Sequence, residues 1–200
     1  MNIAGKTIGF GITGSHCTYA EVFPEIERLV NAGATVVPIL SYTMIHTSTR
    51  FGEAGEWAEK IEKVTGQKPI ATIPDAEPLG PSKRLDCLVI APCTGSTLAR
   101  LANAITDSAI LMAAKATIRN DRPVVIGIST NDGLGLNAAN LAKLLAAKNF
   151  YFVPFGQDDP DKKMNSLVAR MNMILPACES ALEKKQIQPL LVEKFRDLAK

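Results

Sequence analysis

The sequence is poor in the residues that build metal sites and disulfide frameworks. Its 200 residues include 4 cysteines and 2 histidines, and no two cysteines form a C-x-x-C pair. A structural zinc site needs a closed set of Cys or His ligands at short spacings, so we predict no bound metal. We expect Cys17, Cys87, Cys93 and Cys178 to be reduced thiols, as in most cytoplasmic proteins.

Long apolar runs and an excess of either charge are also missing. Lys and Arg total 22 against 20 Asp and Glu, which leaves a formal net charge of +2. So small and evenly spread a charge does not favour a nucleic acid or a membrane surface as partner. No stretch approaches the roughly 18 consecutive apolar residues of a membrane span. Residues 1–6 do not begin a signal peptide, and we therefore expect a cytoplasmic protein.

What the chain does contain is an alternation of short Val- and Ile-rich runs with amphipathic helical stretches. This alternation is typical of a parallel sheet covered by helices. The predicted strands are Lys6–Ile12, Thr35–Leu40, Leu85–Ala91, Pro123–Ile128 and Phe150–Val153. The predicted helices are Cys17–Ala32, Trp57–Thr65, Thr94–Ala104, Asp107–Ile118, Asn137–Lys148, Met164–Lys185 and a tail at Leu190–Leu198. Residues 69–81 are expected to be a loop with a short strand near Ile70–Ile73.

We predict the α/β class with one domain over residues 1–200. The expected architecture is a doubly wound, mostly parallel sheet in three α/β/α layers, a Rossmann-like fold. Its core is expected at residues 4–155, followed by a C-terminal helical extension at residues 164–198.

The loops that follow the predicted strands are rich in hydroxyl groups and glycine. In a doubly wound sheet, ligands bind beyond the carboxyl ends of the strands. The four loops are Thr13-Gly14-Ser15-His16, Ser41-Tyr42-Thr43-Met44-Ile45-His46, Pro92-Cys93-Thr94-Gly95-Ser96-Thr97 and Ser129-Thr130-Asn131-Asp132-Gly133. Any one of them could simply be a helix N-cap, but all four together favour a phosphate site.

The glycine pattern after the first strand favours one phosphate ligand over another. Gly9, Gly11 and Gly14 spell G-x-G-x-x-G, but the first two lie inside the strand rather than in the turn. The dinucleotide fingerprint also needs an acidic residue at the end of the second strand to hold a ribose. This chain has Ser41 there, which can donate to a phosphate. The pattern favours FMN over NAD.

At these residues the sequence resembles the flavoprotein family of phosphopantothenoylcysteine decarboxylase, the lantibiotic cysteine decarboxylases and the flavin prenyltransferases. Gly11-Ile12-Thr13-Gly14-Ser15 resembles the family's first phosphate turn, and Ser41 its hydroxyl after strand two. Pro92-Cys93-Thr94-Gly95-Ser96-Thr97 stands where decarboxylases carry Pro-Ala-Ser-Ala-Asn-Thr. Asp107 matches a family acidic residue, and Asn131 the asparagine of Pro-Ala-Met-Asn. The resemblance implies FMN binding by Thr13, Gly14, Ser15, Ser41, Pro92, Cys93, Thr94, Ser96, Thr97 and Asn131.

The departures from the family pattern are informative. The resemblance covers residues 4–155. Within it, Ser129-Thr130-Asn131 lacks the Pro and Met of Pro-Ala-Met-Asn, the family's substrate-recognition motif. Ser96 displaces the usual asparagine, and Gly95 precedes it. We therefore expect the flavin site to be retained and decarboxylation of a peptidyl-cysteine to be disfavoured. A flavin-dependent decarboxylase or prenyltransferase, and a non-catalytic scaffold, remain the alternatives.

The resemblance also implies a reaction and its partners. It implies oxidation of a small dihydropyridine dicarboxylate to the aromatic pyridine dicarboxylate. A second, different polypeptide that resembles a pyridine-nucleotide-binding protein is implied as partner, with NAD(P) expected on that polypeptide. The family assembles as trimers or larger shells with FMN at the boundaries between subunits, so a homo-oligomer is expected.

Three side chains are candidates for the chemistry. His46 lies five residues past Ser41, where the decarboxylases have an active-site histidine, and His16 follows the first phosphate turn. Either imidazole can act as the base near neutral pH, although either can also be a surface or packing residue. Arg50 is the candidate cation for a dianionic substrate. The Cys93 thiol is expected to pack against the flavin rather than to act as a nucleophile.

Overall fold

The structure is a computed structural model that describes residues 2–193. Its strands are β1 (Thr7–Ile12), β2 (Thr35–Leu40), β3 (Cys87–Cys93), β4 (Val124–Thr130), β5 (Phe150–Phe152), β6 (Phe155–Gly156) and β7 (Leu167–Ala169). Parallel pairing joins β2 to β1, β1 to β3, β3 to β4 and β4 to β5. β7 pairs antiparallel with the end of β4 and with β6. The predicted mostly parallel α/β fold is confirmed.

Helices flank the sheet over the described part of the chain. They are α1 (Tyr19–Asn31), α2 (Tyr42–His46), α3 (Ala54–Thr65), α4 (Ile73–Ala76), α5 (Leu79–Ser82), α6 (Gly95–Ala102), α7 (Ala109–Arg119), α8 (Asn137–Ala146) and α9 (Ile174–Leu182). One-turn 3-10 helices at His16–Thr18 and Met171–Met173 precede α1 and α9. Within residues 2–193, no helix has both the length and the apolar character that crossing a membrane would require.

The central strands β1 and β3 lie side by side, and the chain reverses its direction of winding between them. From β1 the chain proceeds to β2 on one side, and from β3 it proceeds to β4 and β5 on the other. All seven residues of β3 are buried, as expected for a strand covered on both faces. The carboxyl ends of β1 and β3 therefore border the switch point at which such sheets bind ligands.

Two glycines inside β1 serve packing. A Cβ on Gly11 would lie 3.1 Å from Cγ2 of Ile110 in α7, and a Cβ on Gly9 would lie 2.7 Å from Cδ1 of Leu85. The absence of these side chains lets α7 and neighbouring apolar groups approach the strand. This packing accounts for the glycines that imitate a dinucleotide fingerprint.

The predicted helix over Met164–Lys185 is wrong in its first part. Leu167 and Ala169 are buried and Val168 is half-buried, which is the alternation of a strand, and β7 pairs with Ser129 and Thr130. The helix begins only at Ile174 and ends at Leu182. A short apolar run does not reveal whether its period is that of a strand or of a helix, so the prediction extends the helical pattern of α9 too far back.

The predicted tail and the predicted loop also differ from the structure. Residues 190–193 are not helical: the N–H of Phe155 donates to the carbonyl of Leu190, and Leu191 forms a parallel bridge with Phe155. The rest of the predicted tail, residues 194–198, lies outside the described residues. Residues 69–81 contain the one-turn helices α4 and α5, since proline is well tolerated in a first helical turn. Ile70 pairs with β2 through a single bridge.

Candidate functional site

Two adjoining clefts lie at the carboxyl edge of the sheet, with volumes of about 430 and 380 Å³. We call the first the hydroxyl cleft; it is lined by Gly14, Ser15, Cys17, Thr18, Glu21, Thr94, Gly95, Ser129, Thr130, Asn131, Asp158, Lys163 and Val168. We call the second the helix-end cleft; it is lined by Thr13, Gly14, Ser41, Tyr42, Thr43, Thr94, Ser96, Thr97, Arg100, Asp107, Ser108 and Leu111. Gly14 and Thr94 line both.

A cluster of three hydroxyl groups joins the loop after β1 to the end of β4. The hydroxyls of Ser15 and Ser129 are 2.8 Å apart, those of Thr18 and Ser129 2.9 Å, and those of Ser15 and Thr18 3.2 Å. Each hydroxyl has one proton and two lone pairs, so the cluster fixes the three side chains and still has capacity for a ligand. These hydrogen bonds therefore fix the position of the loop after β1 relative to the end of β4.

Thr13 connects β1 to β3 below the clefts. Its hydroxyl donates to the carbonyl of Pro92 at 2.6 Å and accepts from the N–H of Thr94 at 3.1 Å. The hydroxyl of Tyr19 donates to the carbonyl of Thr13 at 2.9 Å. The side chain of Thr13 thus holds the switch point together, and Pro92 contributes to it through its carbonyl.

The first turns of two helices line the helix-end cleft. The side chain of Thr94 caps α6 by accepting from the N–H of Thr97, and Ser108 caps α7 by accepting from Leu111. Neither helix has an acidic residue in its first turn. The remaining first-turn N–H groups have no intrahelical acceptor and carry the positive end of the helix dipole. This cleft is suited to an anion.

Arg100 brings a guanidinium to the helix-end cleft, where the carboxylate of Asp107, which also lines the cleft, balances its charge. Its Nε donates to Oδ2 of Asp107 at 3.1 Å, and its Nη1 donates to the hydroxyl of Ser96. Sequence reasoning missed this residue, because an arginine within a helix is usually a solvated cation. The available signal was its spacing of four residues from Ser96 and seven from Asp107, two positions that belong to the family pattern.

Glycine is required where the backbone of the hydroxyl cleft is crowded. A Cβ on Gly95 would lie 2.6 Å from Oγ1 of Thr130 and 2.7 Å from Nδ2 of Asn137. A Cβ on Gly14 would lie 2.9 Å from Cγ2 of Thr43. The absence of a Cβ at both positions lets these neighbouring side chains pack directly against the backbone.

The three side chains predicted for catalysis line neither cleft. The ring of His16 is buried against Tyr19 with centroids 4.8 Å apart, and burial lowers the pKa of His16 below its usual value. Among the described residues, neither ring nitrogen of His16 has a hydrogen-bond partner. His46 is exposed and packs on the ring of Tyr42 at 4.4 Å. The guanidinium of Arg50 lies 4.8 Å from the centroid of the Phe51 ring.

Cys93 is the last residue of β3 and is buried beneath the clefts. Burial raises the pKa of its thiol to about 12, so the thiol is protonated at neutral pH. A protonated thiol is a poor nucleophile. Cys17, by contrast, is exposed and lines the hydroxyl cleft.

The remaining predicted ligand-binding residues divide between the clefts. Ser41, Ser96 and Thr97 line the helix-end cleft, and Asn131 lines the hydroxyl cleft. In residues 2–193, no three His, Cys, Asp or Glu side chains come close enough together to hold a metal ion.

The sequence prediction missed the contribution of the β6–β7 loop. Asp158 and Lys163 come from this loop and line the hydroxyl cleft. The predicted helix from Met164 obscured the return of the chain to β4. No local sequence pattern indicates that a polar loop contacts a strand almost thirty residues earlier. The position of Asp158 and Lys163 in the hydroxyl cleft is therefore seen only in the folded structure.

Two larger grooves lie elsewhere, on either side of α7, with volumes of about 840 and 570 Å³. Lys115 and Arg119 line both, and most of their other lining residues are apolar or prolines. Among the described residues, each has a single hydroxyl side chain in its lining, Ser82 in one and Thr106 in the other, whereas several hydroxyl groups line each of the two clefts at the carboxyl edge.

Comparison with known proteins identifies the family. A family model described as Flavoprotein matches residues 1–175. The chain belongs to the flavoprotein family. This flavoprotein is 59% identical over 195 residues to the B component of dipicolinate synthase from Bacillus subtilis (strain 168), covering 98% of each chain.

Solved structures agree with this family membership. The crystal structure of the dipicolinate synthase B component from Bacillus halodurans superposes with a TM-score of 0.90 at 56% identity, covering 98% of this flavoprotein and 100% of that chain. A dodecameric FMN-dependent UbiX-like decarboxylase from Escherichia coli O157:H7 has a TM-score of 0.58 at 18% identity, covering 74% of this flavoprotein and 78% of that chain. At that identity, the second likeness concerns the fold alone.

Proposed function

We propose that this flavoprotein acts as the B component of a dipicolinate synthase. With a second polypeptide, the A component, it would oxidise dihydrodipicolinate to dipicolinate (pyridine-2,6-dicarboxylate) during sporulation in the cytoplasm. The observation that carries this proposal is the 59% identity, over 98% of both chains, to the B component of a dipicolinate synthase. Identity at this level over the whole length favours a shared activity as well as a shared fold.

The two clefts fit FMN, which we propose as the cofactor. The first turns of α6 and α7, with Ser41 and Arg100, offer N–H, hydroxyl and guanidinium donors to its phosphate. The clefts adjoin through Gly14 and Thr94, so one elongated ligand can extend from the helix-end cleft into the hydroxyl cleft. When bound, FMN supplies an acceptor for the hydride that aromatisation releases.

Aromatisation also releases a proton, which a residue of this chain can accept. Among the described residues that line the hydroxyl cleft, the carboxylates are Glu21 and Asp158. Burial raises the pKa of Asp158, but the hydrogen bond from Ser166 and the charge of Lys163 outweigh it and keep the pKa below its usual value. Asp158 is therefore a weak base, and we propose that Glu21 accepts the proton.

Exposed apolar side chains beside the hydroxyl cleft support assembly with the A component. Leu134 is 49% exposed, Leu136 90% and Met164 72%. The N–H of Leu134 donates to the carbonyl of Asn165, so Leu134 lies near Met164, the neighbour in sequence of the cleft-lining Lys163; we call the surface formed by Leu134, Leu136 and Met164 the rim. We propose that the A component docks on this rim, where it would cover the cleft in which the reaction takes place.

A homo-oligomer of three or more copies is also proposed. Tyr42 is 75% exposed, lines the helix-end cleft and packs against His46. An exposed aromatic pair at the mouth of a cofactor site is well suited to a boundary between copies. His46 would then lie at that boundary.

The decisive experiment combines cofactor binding with reconstitution. Purified protein is incubated with FMN, passed over a gel-filtration column, and the spectrum of the protein peak is recorded. Dipicolinate formation is then measured with the A component alone and with both components. We expect a yellow oligomeric peak and a rate that requires both components. A full rate with the A component alone would reduce this chain to a scaffold, and a colourless peak would refute the cofactor assignment.

The proton assignment is tested in the same reconstituted assay. Glu21→Gln removes the proposed base with little change in size, and His46→Ala is the comparison. We expect a loss of kcat of about 100-fold for Glu21→Gln, within the range of general-base catalysis. A large loss for His46→Ala with none for Glu21→Gln would transfer the role to the histidine.

A further inference from the structure

The loop between β6 and β7 brings a lysine to the hydroxyl cleft. Val168 of β7 pairs with Ser129 of β4, which anchors the loop to the strand that carries the central hydroxyl. Lys163 lines the cleft from this loop, and Ser15 and Ser129 line it from the loop that follows β1 and from the end of β4. Among the described residues that line the hydroxyl cleft, Lys163 is the one cation, and the other lining residues are neutral or acidic.

Lys163 is held in place by its own loop. Its N–H donates to the carbonyl of Asp159 at 2.8 Å, and its carbonyl accepts from the N–H of Ser166 at 2.9 Å. Its Nζ lies 3.4 Å from Oδ2 of Asp158, while Oδ1 of Asp158 accepts from the hydroxyl of Ser166. An ammonium group has three donors, and one long bond to Asp158 leaves donors for a ligand.

The charges of the cleft make this lysine decisive for an anion. The charged side chains that line the hydroxyl cleft, among the described residues, are Glu21, Asp158 and Lys163. Without Lys163, the cleft would present two carboxylates and would repel a dianion. With Lys163, the charge of Asp158 is compensated, the carboxylate of Glu21 is the remaining net charge, and a cationic donor lies on the wall.

Arg50 and Arg100, two other cations near the carboxyl edge of the sheet, lie outside the hydroxyl cleft. The guanidinium of Arg50 lies over the ring of Phe51, outside both clefts. Arg100 lines the helix-end cleft and donates to Asp107 and Ser96. Neither is available to a ligand in the hydroxyl cleft.

We propose that Lys163 binds a carboxylate of the pyridine dicarboxylate substrate and product. The assignment rests on the proposed function, which supplies the substrate class, and it identifies the residue that supplies this cleft with a cationic donor for a carboxylate. Lys163 acts in binding and takes no part in hydride or proton transfer.

The test uses Lys163→Gln with Lys162→Gln as a matched control. Lys162 is exposed in the same loop and lines neither cleft, so its loss changes the net charge equally. Binding of pyridine-2,6-dicarboxylate is measured by calorimetry in metal-free buffer, with and without FMN. We expect the Kd for pyridine-2,6-dicarboxylate to rise about tenfold or more for Lys163→Gln and to change less than about twofold for Lys162→Gln. In Lys163→Arg, which keeps the positive charge, we expect the Kd to stay close to that of the unaltered protein.

Steady-state kinetics with the A component provides the second readout. We expect KM for dihydrodipicolinate to rise with the same factor for Lys163→Gln, while kcat and the Kd for FMN stay close to those of the unaltered protein. Equal dicarboxylate affinity in both glutamine variants, or no dicarboxylate binding by the unaltered protein, would overturn the proposal. Failure to bind FMN while dicarboxylate binding still depends on Lys163 would instead refute the cofactor assignment alone.

Discussion

The hydroxyl groups of Ser15 and Ser129 lie 2.8 Å apart although 114 positions separate them in the sequence. Ser129 also bonds Thr18, so one buried hydroxyl ties the end of β4 to the turn after β1. This bond sets the relative position of two walls of the hydroxyl cleft.

Ser129→Ala should therefore loosen the cleft without unfolding the protein. We expect the free energy of unfolding to fall by about 1 kcal/mol, the value of a typical hydrogen bond, and the Kd for FMN to rise severalfold. Urea unfolding and flavin fluorescence measure the two effects. Ser82→Ala, which removes an exposed hydroxyl bonded to the carbonyl of Pro78, is the control and should leave the Kd unchanged. Equal Kd values in the two variants would contradict this role for Ser129.

Gly95→Ala should damage the site because the added methyl has no room. Its Cβ would lie 2.6 Å from Oγ1 of Thr130 and 2.7 Å from Nδ2 of Asn137, and overpacking of this kind costs about 1–3 kcal/mol. Gly55→Ala is the matched control, since a Cβ there meets nothing within 4 Å and should stabilise its helix by about 0.5–1 kcal/mol. Opposite shifts in Tm are expected, with weaker FMN binding only in Gly95→Ala. Unchanged FMN binding in Gly95→Ala would show that the cofactor does not approach this backbone.

Arg100→Gln should weaken binding of FMN and spare binding of riboflavin. The guanidinium lines the helix-end cleft, which we assign to the phosphate, and riboflavin lacks that group. We expect the Kd for FMN to rise about tenfold, as for the loss of one charge-assisted bond, with little change for riboflavin. Arg119→Gln, at the exposed end of α7, is the control. Parallel losses for both flavins would place the phosphate elsewhere.

His16 should make the protein less stable in mild acid. Burial lowers the pKa of His16 in the folded state, so folding favours the neutral imidazole. Its contribution is therefore complete above the unfolded pKa of about 6.5 and is lost as the pH falls from there toward the folded pKa. The free energy of unfolding should decline more between about pH 7.5 and 5.5 in the unaltered protein than in His16→Phe. Identical slopes would show that His16 does not titrate on unfolding.

His16→Phe also separates packing from catalysis. Phenylalanine keeps an aromatic ring beside Tyr19 and removes two buried nitrogens that have no partner among the described residues. We expect unchanged turnover in the reconstituted assay, and a loss of turnover would restore His16 as a functional group.

Leu136→Gln should weaken assembly with the A component without affecting FMN binding. Leu136 precedes α8, two residues past Leu134, and is 90% exposed, whereas Leu145 near the other end of α8 is 42% exposed. Leu145→Gln is therefore the control. We expect the concentration of the A component that gives half-maximal activity to rise only for Leu136→Gln. No difference between the variants would exclude the rim as the docking surface.

The sheet could be predicted because each parallel strand is a continuous apolar run. Thr35–Leu40 is such a run, and its predicted bounds agree with β2. The strand at Leu167–Ala169 is only three residues long, and its partner lies almost forty positions earlier, so no local period distinguishes it from the helix that follows. Short antiparallel additions to a parallel sheet are set by tertiary contacts rather than by sequence pattern.

The same distinction applies to the candidate site. Ser41 and Thr94 follow strands directly, and the general rule for ligand positions in α/β sheets is enough to select them. Lys163 and Asp158 reach the cleft only because the chain returns to β4, and nothing near them in the sequence indicates this. Arg50 shows the opposite case, since closeness in sequence to His46 does not bring it into either cleft.

Gly14 and Thr94 line both clefts, and this shared wall has a consequence for how the protein can change. A substitution that widens one cleft at these positions necessarily reshapes the other. Under the proposed assignment of cofactor and substrate to these clefts, a substitution at Gly14 or Thr94 would change both affinities together. Under the same assignment, a change of substrate would come from substitutions in the β6–β7 loop or at the end of β4, with Gly14 and Thr94 unaltered.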